Sequence, residues 1–390
     1  MDIDLIREET RGLDQKLFFN SAGSSLMPIQ VVDRMIDYIK EEENIGGYAL
    51  MKKYLDEIHS FYHHAAQMLN CQAKNIAFTT SATDSYSRAL LSIPFEKNDV
   101  ILTSEDDYIS SYIAFNTLHK IYNIQILKIA NLLNGDLDLN HFEDQIKKFK
   151  PKVVSITHIP TNSGLIQDVN SVGKICDKYD IYYIVDACQS IGQIEVDVQK
   201  IKCDFLSATG RKFLRGPRGS GLLYVSDKVL QRNLVPIHLD MRGSIWKSEN
   251  EFSHTQDATR FEQWEMNYSN LLGLKESILY VNKHDIHAIE MANSLVSKAM
   301  REIISKNDKI FLTDKGSKHS NIITWSSDTV SQQKIEEVLK QNEVYYSVAL
   351  KENAQIDYTK RGLQWSIRFS PHYFNTVEEV NRVGNILSQI

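Results

Sequence analysis

Seven short apolar runs, separated mostly by segments of helical period between residues 75 and 226, constrain this chain more than any other feature. The runs are 75–79, 99–103, 124–129, 152–157, 181–185, 204–207 and 221–225, all rich in β-branched residues. Helical periodicity occupies 82–93, 109–121, 140–149 and 168–179. Alternation of this kind predicts an α/β fold, with a mostly parallel seven-stranded sheet covered by helices on both faces. Ligands of such sheets bind beyond the carboxyl ends of the strands, so Thr79, Thr157, Asp186 and Ser207, each at a strand end, are expected to converge.

Before this block, Pro28 opens a helix to about Glu43, and a second amphipathic helix is expected over 49–69. After it comes a long helical stretch near 270–305. Strands at 310–313, 321–325, 343–347 and 364–370 follow, with helices near 331–342 and 376–389. The net charge of −6 leaves no surplus of Lys and Arg to neutralise phosphates, which argues against nucleic-acid binding. No window approaches the roughly 20 apolar residues of a membrane span. The start of the chain is acidic and lacks a secretory pattern. Cys71, Cys176, Cys188 and Cys203 are scattered without metal-ligand spacing, and His63, His64 and His158 have none either. No metal, four reduced thiols and a cytoplasmic location are the expectation.

Two motifs carry the chemistry. Asp186-Ala-Cys-Gln-Ser follows an apolar strand, and Ser207-Ala-Thr-Gly-Arg-Lys212-Phe-Leu-Arg-Gly-Pro-Arg-Gly comes shortly after. A carboxylate for a pyridine nitrogen and an amine for an aldehyde are what a pyridoxal phosphate ring requires. A lysine that condenses with an aldehyde must be partly neutral, and Arg211, Arg215 and Arg218 would favour that form by disfavouring the ammonium. Asp186 would keep the pyridine nitrogen protonated, although an Asp capping the next helix reads the same way. Gln189 suits the cofactor's phenolic oxygen. The run Thr79-Thr-Ser-Ala82-Thr83-Asp84 opens a helix and offers backbone N–H groups to a phosphate, as many helix starts do. Arg368 alternates with Trp365, Ile367 and Phe369 on a strand and is placed to bind a substrate carboxylate, or to form a surface ion pair.

With these residues assembled, the chain resembles the class V aminotransferase family, which has the fold-type I architecture of pyridoxal-phosphate enzymes. The likeness runs from Phe19-Asn-Ser-Ala-Gly-Ser-Ser-Leu-Met-Pro28 to Ile367-Arg-Phe-Ser-Pro-His-Tyr-Phe-Asn-Thr376 and is strongest over 186–221. It implies Lys212 and Asp186 as catalytic residues. Around the cofactor it implies Ala82, Thr83, Tyr108 as the stacking ring, Asn162, Gln189, Thr209 and Arg211. Arg368 and Asn20 would hold the substrate. It further implies an N-terminal segment over 1–27, a large cofactor-binding domain over 28–260, and a connecting helix with a small α+β domain over 261–390. A homodimer with shared active sites follows from the same resemblance, with 40–55 and 236–270 as candidate walls.

Three departures stand out. Arg211 replaces the His that often precedes the lysine. Arg260-Phe-Glu-Gln-Trp-Glu265 stands where many desulfurases carry a Gly-Thr pair that reaches the partner's phosphate. Segment 343–364 holds no cysteine to accept sulfur. These features are more similar to the C–S lyase and isopenicillin epimerase-like branch. The expected reaction therefore passes through a Lys212 aldimine and a quinonoid to β-elimination of an amino acid without a persulfide cysteine. Aminotransferase or epimerase chemistry on the same cofactor is the alternative. A non-catalytic anion or nucleotide binder is more remote, since 210–221 lacks the residue order of a phosphate-binding P-loop.

Overall fold

The computed structural model describes residues 1–14 and 16–390. Its large sheet contains β1 (Ile76–Thr79), β2 (Val100–Thr103), β3 (Gln125–Lys128), β4 (Val153–Thr157), β5 (Tyr182–Asp186), β6 (Phe205–Thr209) and β7 (Gly221–Val225). Their spatial order is β1-β7-β6-β5-β4-β2-β3, and only β7 runs against the others. The interior strands β4, β6 and β7 are buried along their whole length, which is why they read as continuous apolar runs rather than alternating ones. The α/β architecture with a mostly parallel seven-stranded sheet is thus present as expected.

Helices cover both faces. Flanking or joining the strands are α1 (Ile29–Ile45), α2 (Leu55–Leu69), α3 (Ala82–Ser92), α4 (Ile109–Tyr122), α5 (Leu139–Phe149) and α6 (Val169–Lys178). The helix expected over 49–69 is divided at Tyr54, and Gly47–Lys53 forms a separate turn of helix before α2. The stretch near 270–305 is likewise two helices, α7 (Tyr268–His284) and α8 (Ile286–Ser305). They meet at Asp285, whose φ of 62° a continuous helix cannot accommodate. None of the helices is long and apolar enough to cross a membrane among the described residues.

A second, antiparallel sheet holds β8 (Phe311–Leu312), β9 (Ile323–Ser326), β10 (Ser347–Leu350) and β11 (Trp365–Phe369) in the order β8-β9-β11-β10. Its own core packs Trp325, Ile367 and Phe369 against Val296 and Met300 of α8. Val380 and Val383 of α11 (Val377–Leu387) join that core, as do Ile335 and Leu339 of α9 (Gln332–Gln341). The N-terminal strand Leu17–Phe18 pairs in parallel with Val344–Tyr345, and Asn20 bridges to Ser370, so the start of the chain is stitched to the end of this unit. An exposed hairpin, Ser244–Ser248 with Glu251–His254, projects from the segment between the two sheets.

Candidate active site

Pleating and register bring the strand-end residues together. Asp186, the last residue of β5, lies opposite Thr157 of β4 on one side and Ser207 of β6 on the other. Three residues beyond the end of β6, the turn Gly210-Arg211-Lys212 carries the lysine back over the sheet edge. Gly221 permits this packing, because a Cβ there would stand 2.7 Å from the Ser81 carbonyl carbon. The result is a cavity of about 640 Å³, its open mouth included. Among its lining residues are Ala82, Thr83, Tyr108, Asp186, Thr209, Arg211 and Lys212. Seven of the sequence-predicted residues therefore line one cavity.

Lys212 is only 9% exposed and makes no side-chain hydrogen bond or ion pair among the described residues. Burial lowers its pKa below the ordinary lysine value. Asp186 and Cys188 oppose that shift, while Arg211 and Arg368 add to it. The expectation that Arg215 and Arg218 share this role is corrected by the structure. Arg218 is exposed. Arg215 is 1% exposed and points away, donating to Leu26 O at 2.8 Å, Tyr373 Oη at 3.0 Å and Thr10 Oγ1 at 2.6 Å. Its φ of 61° turns the side chain into the interior, which the sequence pattern does not disclose.

The lysine faces aromatic and polar neighbours suited to a flat charged ligand. Its Nζ lies 6.0 Å from the centroid of the Tyr108 ring. Asp186 Oδ1 accepts the Cys188 N–H at 2.8 Å, so the carboxylate is held by its own turn. At the start of α3, Ser81 caps Asp84 N at 3.1 Å, whereas the Ala82 and Thr83 N–H groups have no protein acceptor among the described residues. Those two donors, with Thr209 and Arg211 nearby, make an anion site. Ser207 Oγ also lines the cavity, buried and without a partner. A free buried amine, an acid, a ring and an unfilled set of anion donors fit pyridoxal phosphate.

A second cluster adjoins the cavity. Gln189 Nε2 donates to Thr161 Oγ1 at 3.2 Å and to Ala22 O at 3.3 Å. Arg368 Nη1 donates to the same Thr161 hydroxyl. Arg368 is buried, its Nε has no partner, and no carboxylate pairs with it among the described residues. Burial pulls its pKa down to about 10, which leaves it charged at neutral pH. Asn20 Oδ1 accepts the Ser347 hydroxyl at 2.7 Å, and Ser347 is the register partner of Arg368. Asn162 borders a different cavity, beyond α4, with Ile109, Tyr112 and Ala354.

Sequence reasoning missed Thr161, one residue before Asn162, and Asp107, one residue before Tyr108. Asp107 Oδ1 accepts Thr157 N at 2.6 Å, and burial pushes its carboxyl up to about 7. The Arg260-Phe-Glu segment turns inward. Glu262 accepts from Tyr62 Oη and Phe78 N at 2.8 Å each and from Arg242 Nε at 3.0 Å. Arg260 donates to Val229 O and Leu230 O.

The model of the class-V aminotransferase family matches residues 17–383. A probable cysteine desulfurase of Methanothermobacter thermautotrophicus is 25% identical over 100% of this chain and 96% of its own length. The apo cysteine desulfurase of Thermococcus onnurineus NA1 superposes with a TM-score of 0.92 at 23% identity, covering 100% of this chain and 98% of that one. A cystine C–S lyase in complex with its product cysteine persulfide gives a TM-score of 0.86 at 17% identity, covering 97% and 99%.

Proposed function

The chain belongs to the class-V aminotransferase family and is a pyridoxal-phosphate enzyme; from that premise we propose that it cleaves the β-substituent from a sulfur-bearing amino acid without forming a persulfide on its own cysteines. The observation that carries the reading is the buried guanidinium of Arg368 beside the buried amine of Lys212, neither in an ion pair among the described residues. A buried charge without a counter-ion is costly, and an anionic ligand at Arg368 offsets that cost.

When bound, the cofactor supplies an aldehyde that condenses with amines and a protonated heterocycle that withdraws electrons from Cα. On this reading Asp186 would hold the heterocycle's proton, Tyr108 would lie against the ring, and Ala82, Thr83, Thr209 and Arg211 would hold the phosphate. Gln189 would stand toward the phenolic oxygen; Asn162, expected there from the sequence, borders the neighbouring cavity instead. Arg368, with Asn20 behind it, orients the substrate carboxylate. Lys212 Nζ takes the Cα proton, a task for which its lowered pKa suits it.

Support for a persulfide-free course comes from the cysteines and from segment 343–364. Cys176 and Cys203 are buried outside the cavity, Cys188 lines it with its thiol pushed well up by burial, and burial pushes the Cys71 thiol up to about 12. Within the cysteine-free segment, α10 (Gln355–Arg361) is pinned rather than loose. Lys315 Nζ lies 2.6 Å from both Asp357 Oδ1 and Asp106 Oδ1, and Lys360 pairs with Glu105 at 2.9 Å. Given L-cysteine alone, the protein is expected to release pyruvate, ammonia and sulfide in equal amounts. Alanine in place of pyruvate would select desulfuration, and turnover only with an added keto acid would select amino transfer.

The proposal includes the division into 28–260 and 261–390, a cytoplasmic location and a homodimer. Apolar side chains without cover favour a second copy against the 236–270 region, where Trp246 is 79% and Ile245 67% exposed. The expected particle mass by light scattering is twice that of one chain. A single-chain mass at micromolar concentration would remove the dimer from this reading.

A further inference from the structure

Thr161 stands at the junction between the cofactor cavity and the carboxylate-binding arginine. Its hydroxyl oxygen accepts from two donors, Gln189 Nε2 at 3.2 Å and Arg368 Nη1. A hydroxyl has two lone pairs and one proton, so these bonds use its accepting capacity and leave the proton. Among the described residues that proton has no acceptor. Both lone pairs are taken by groups belonging to the site, and Arg368 Nε has no partner among the described residues.

We propose that Thr161 is a substrate-binding residue whose O–H donates to the α-carboxylate that Arg368 holds, while its oxygen locks the guanidinium to Gln189. The proposal rests on the reading of Arg368 as the carboxylate site. An anion beside a guanidinium accepts readily from a second donor, and a hydroxyl already polarised by two N–H groups is a stronger one. Thr161 therefore discriminates for an amino acid with an unmodified carboxylate, whatever its side chain. An amide or ester of the same amino acid offers a neutral oxygen and gains less from the contact.

The test titrates cofactor-loaded protein with L-alanine and follows the change in visible absorbance, with pyridoxal phosphate affinity measured separately by quenching of intrinsic fluorescence. Thr161→Val keeps the shape but removes the hydroxyl, and is expected to raise the half-saturating alanine concentration about tenfold while cofactor affinity stays within about threefold. Thr161→Ser is expected to restore alanine binding. It also serves as the check that loss in the valine variant is not misfolding. Arg368→Leu separates the two layers of the argument. If Arg368→Leu weakens alanine binding and Thr161→Val does not, the Thr161 assignment is overturned and the carboxylate site stands. If neither substitution matters, the carboxylate site itself is wrong and the Thr161 assignment falls with it.

Discussion

Lys212→Ala is expected to abolish the visible absorbance of the cofactor-loaded protein and to lower turnover by at least about 10³-fold. The physical reason lies in the cavity. Lys212 is its only lysine, it is buried, and its amine is bound to nothing else among the described residues. The alanine variant keeps the acid at position 186, the ring at 108 and the anion donors of α3. Pyridoxal phosphate should therefore still bind, more weakly and with the spectrum of the free aldehyde. Absorbance spectra and equilibrium dialysis on the same preparation separate binding from bond formation. The fold should be retained, because the lost side chain makes no hydrogen bond or ion pair among the described residues. An unchanged spectrum in the variant would mean that some other amine holds the cofactor.

Arg215→Met is expected to destabilise the cofactor-free protein by about 3–5 kcal/mol, read from the midpoint of denaturant unfolding. Three hydrogen bonds from one guanidinium disappear, and Leu26 O, Thr10 Oγ1 and Tyr373 Oη each lose their donor. Methionine replaces the volume but not the contacts with Tyr280, Tyr373 and Phe374, whose rings lie 4.9–5.4 Å from the guanidinium carbon. The damage should also reach the site. Arg215 N donates to Lys212 O at 2.9 Å, so the turn that presents the lysine depends on this anchor. Arg218→Ala, three residues on in the same cation-rich loop, is expected to change stability by less than about 0.5 kcal/mol because its side chain is exposed. Equal losses in the two variants would contradict the distinction between an internal anchor and a solvated charge.

The contrast between those arginines marks where sequence patterns stop being informative. The buried strands β4 to β7 were legible because residues covered on both faces must be apolar. Asp186 stood out as a charge at the end of such a run, and Lys212 as an amine in the glycine-rich turn that follows another. Which way an arginine points after a turn is decided by backbone dihedrals and by what lies beneath. Neither is written in composition or period. Thr161 was hidden for a related reason, since its partners Gln189 and Arg368 are 28 and 207 residues away in the chain. The breaks at Tyr54 and Asp285 fall inside segments of unbroken helical periodicity, where tertiary packing sets the boundary. The hairpin at 244–254 gave no strand signal because most of its side chains are exposed, so no alternation of buried and solvated positions exists to be read.

The central claim is a covalent bond between Lys212 Nζ and the cofactor. Borohydride reduction of the loaded protein, followed by proteolysis and mass spectrometry, tests it directly. The account requires a pyridoxyl adduct on the peptide containing Lys212 and on no other lysine. An adduct elsewhere, or none on that peptide while the visible band is lost on reduction, would contradict it.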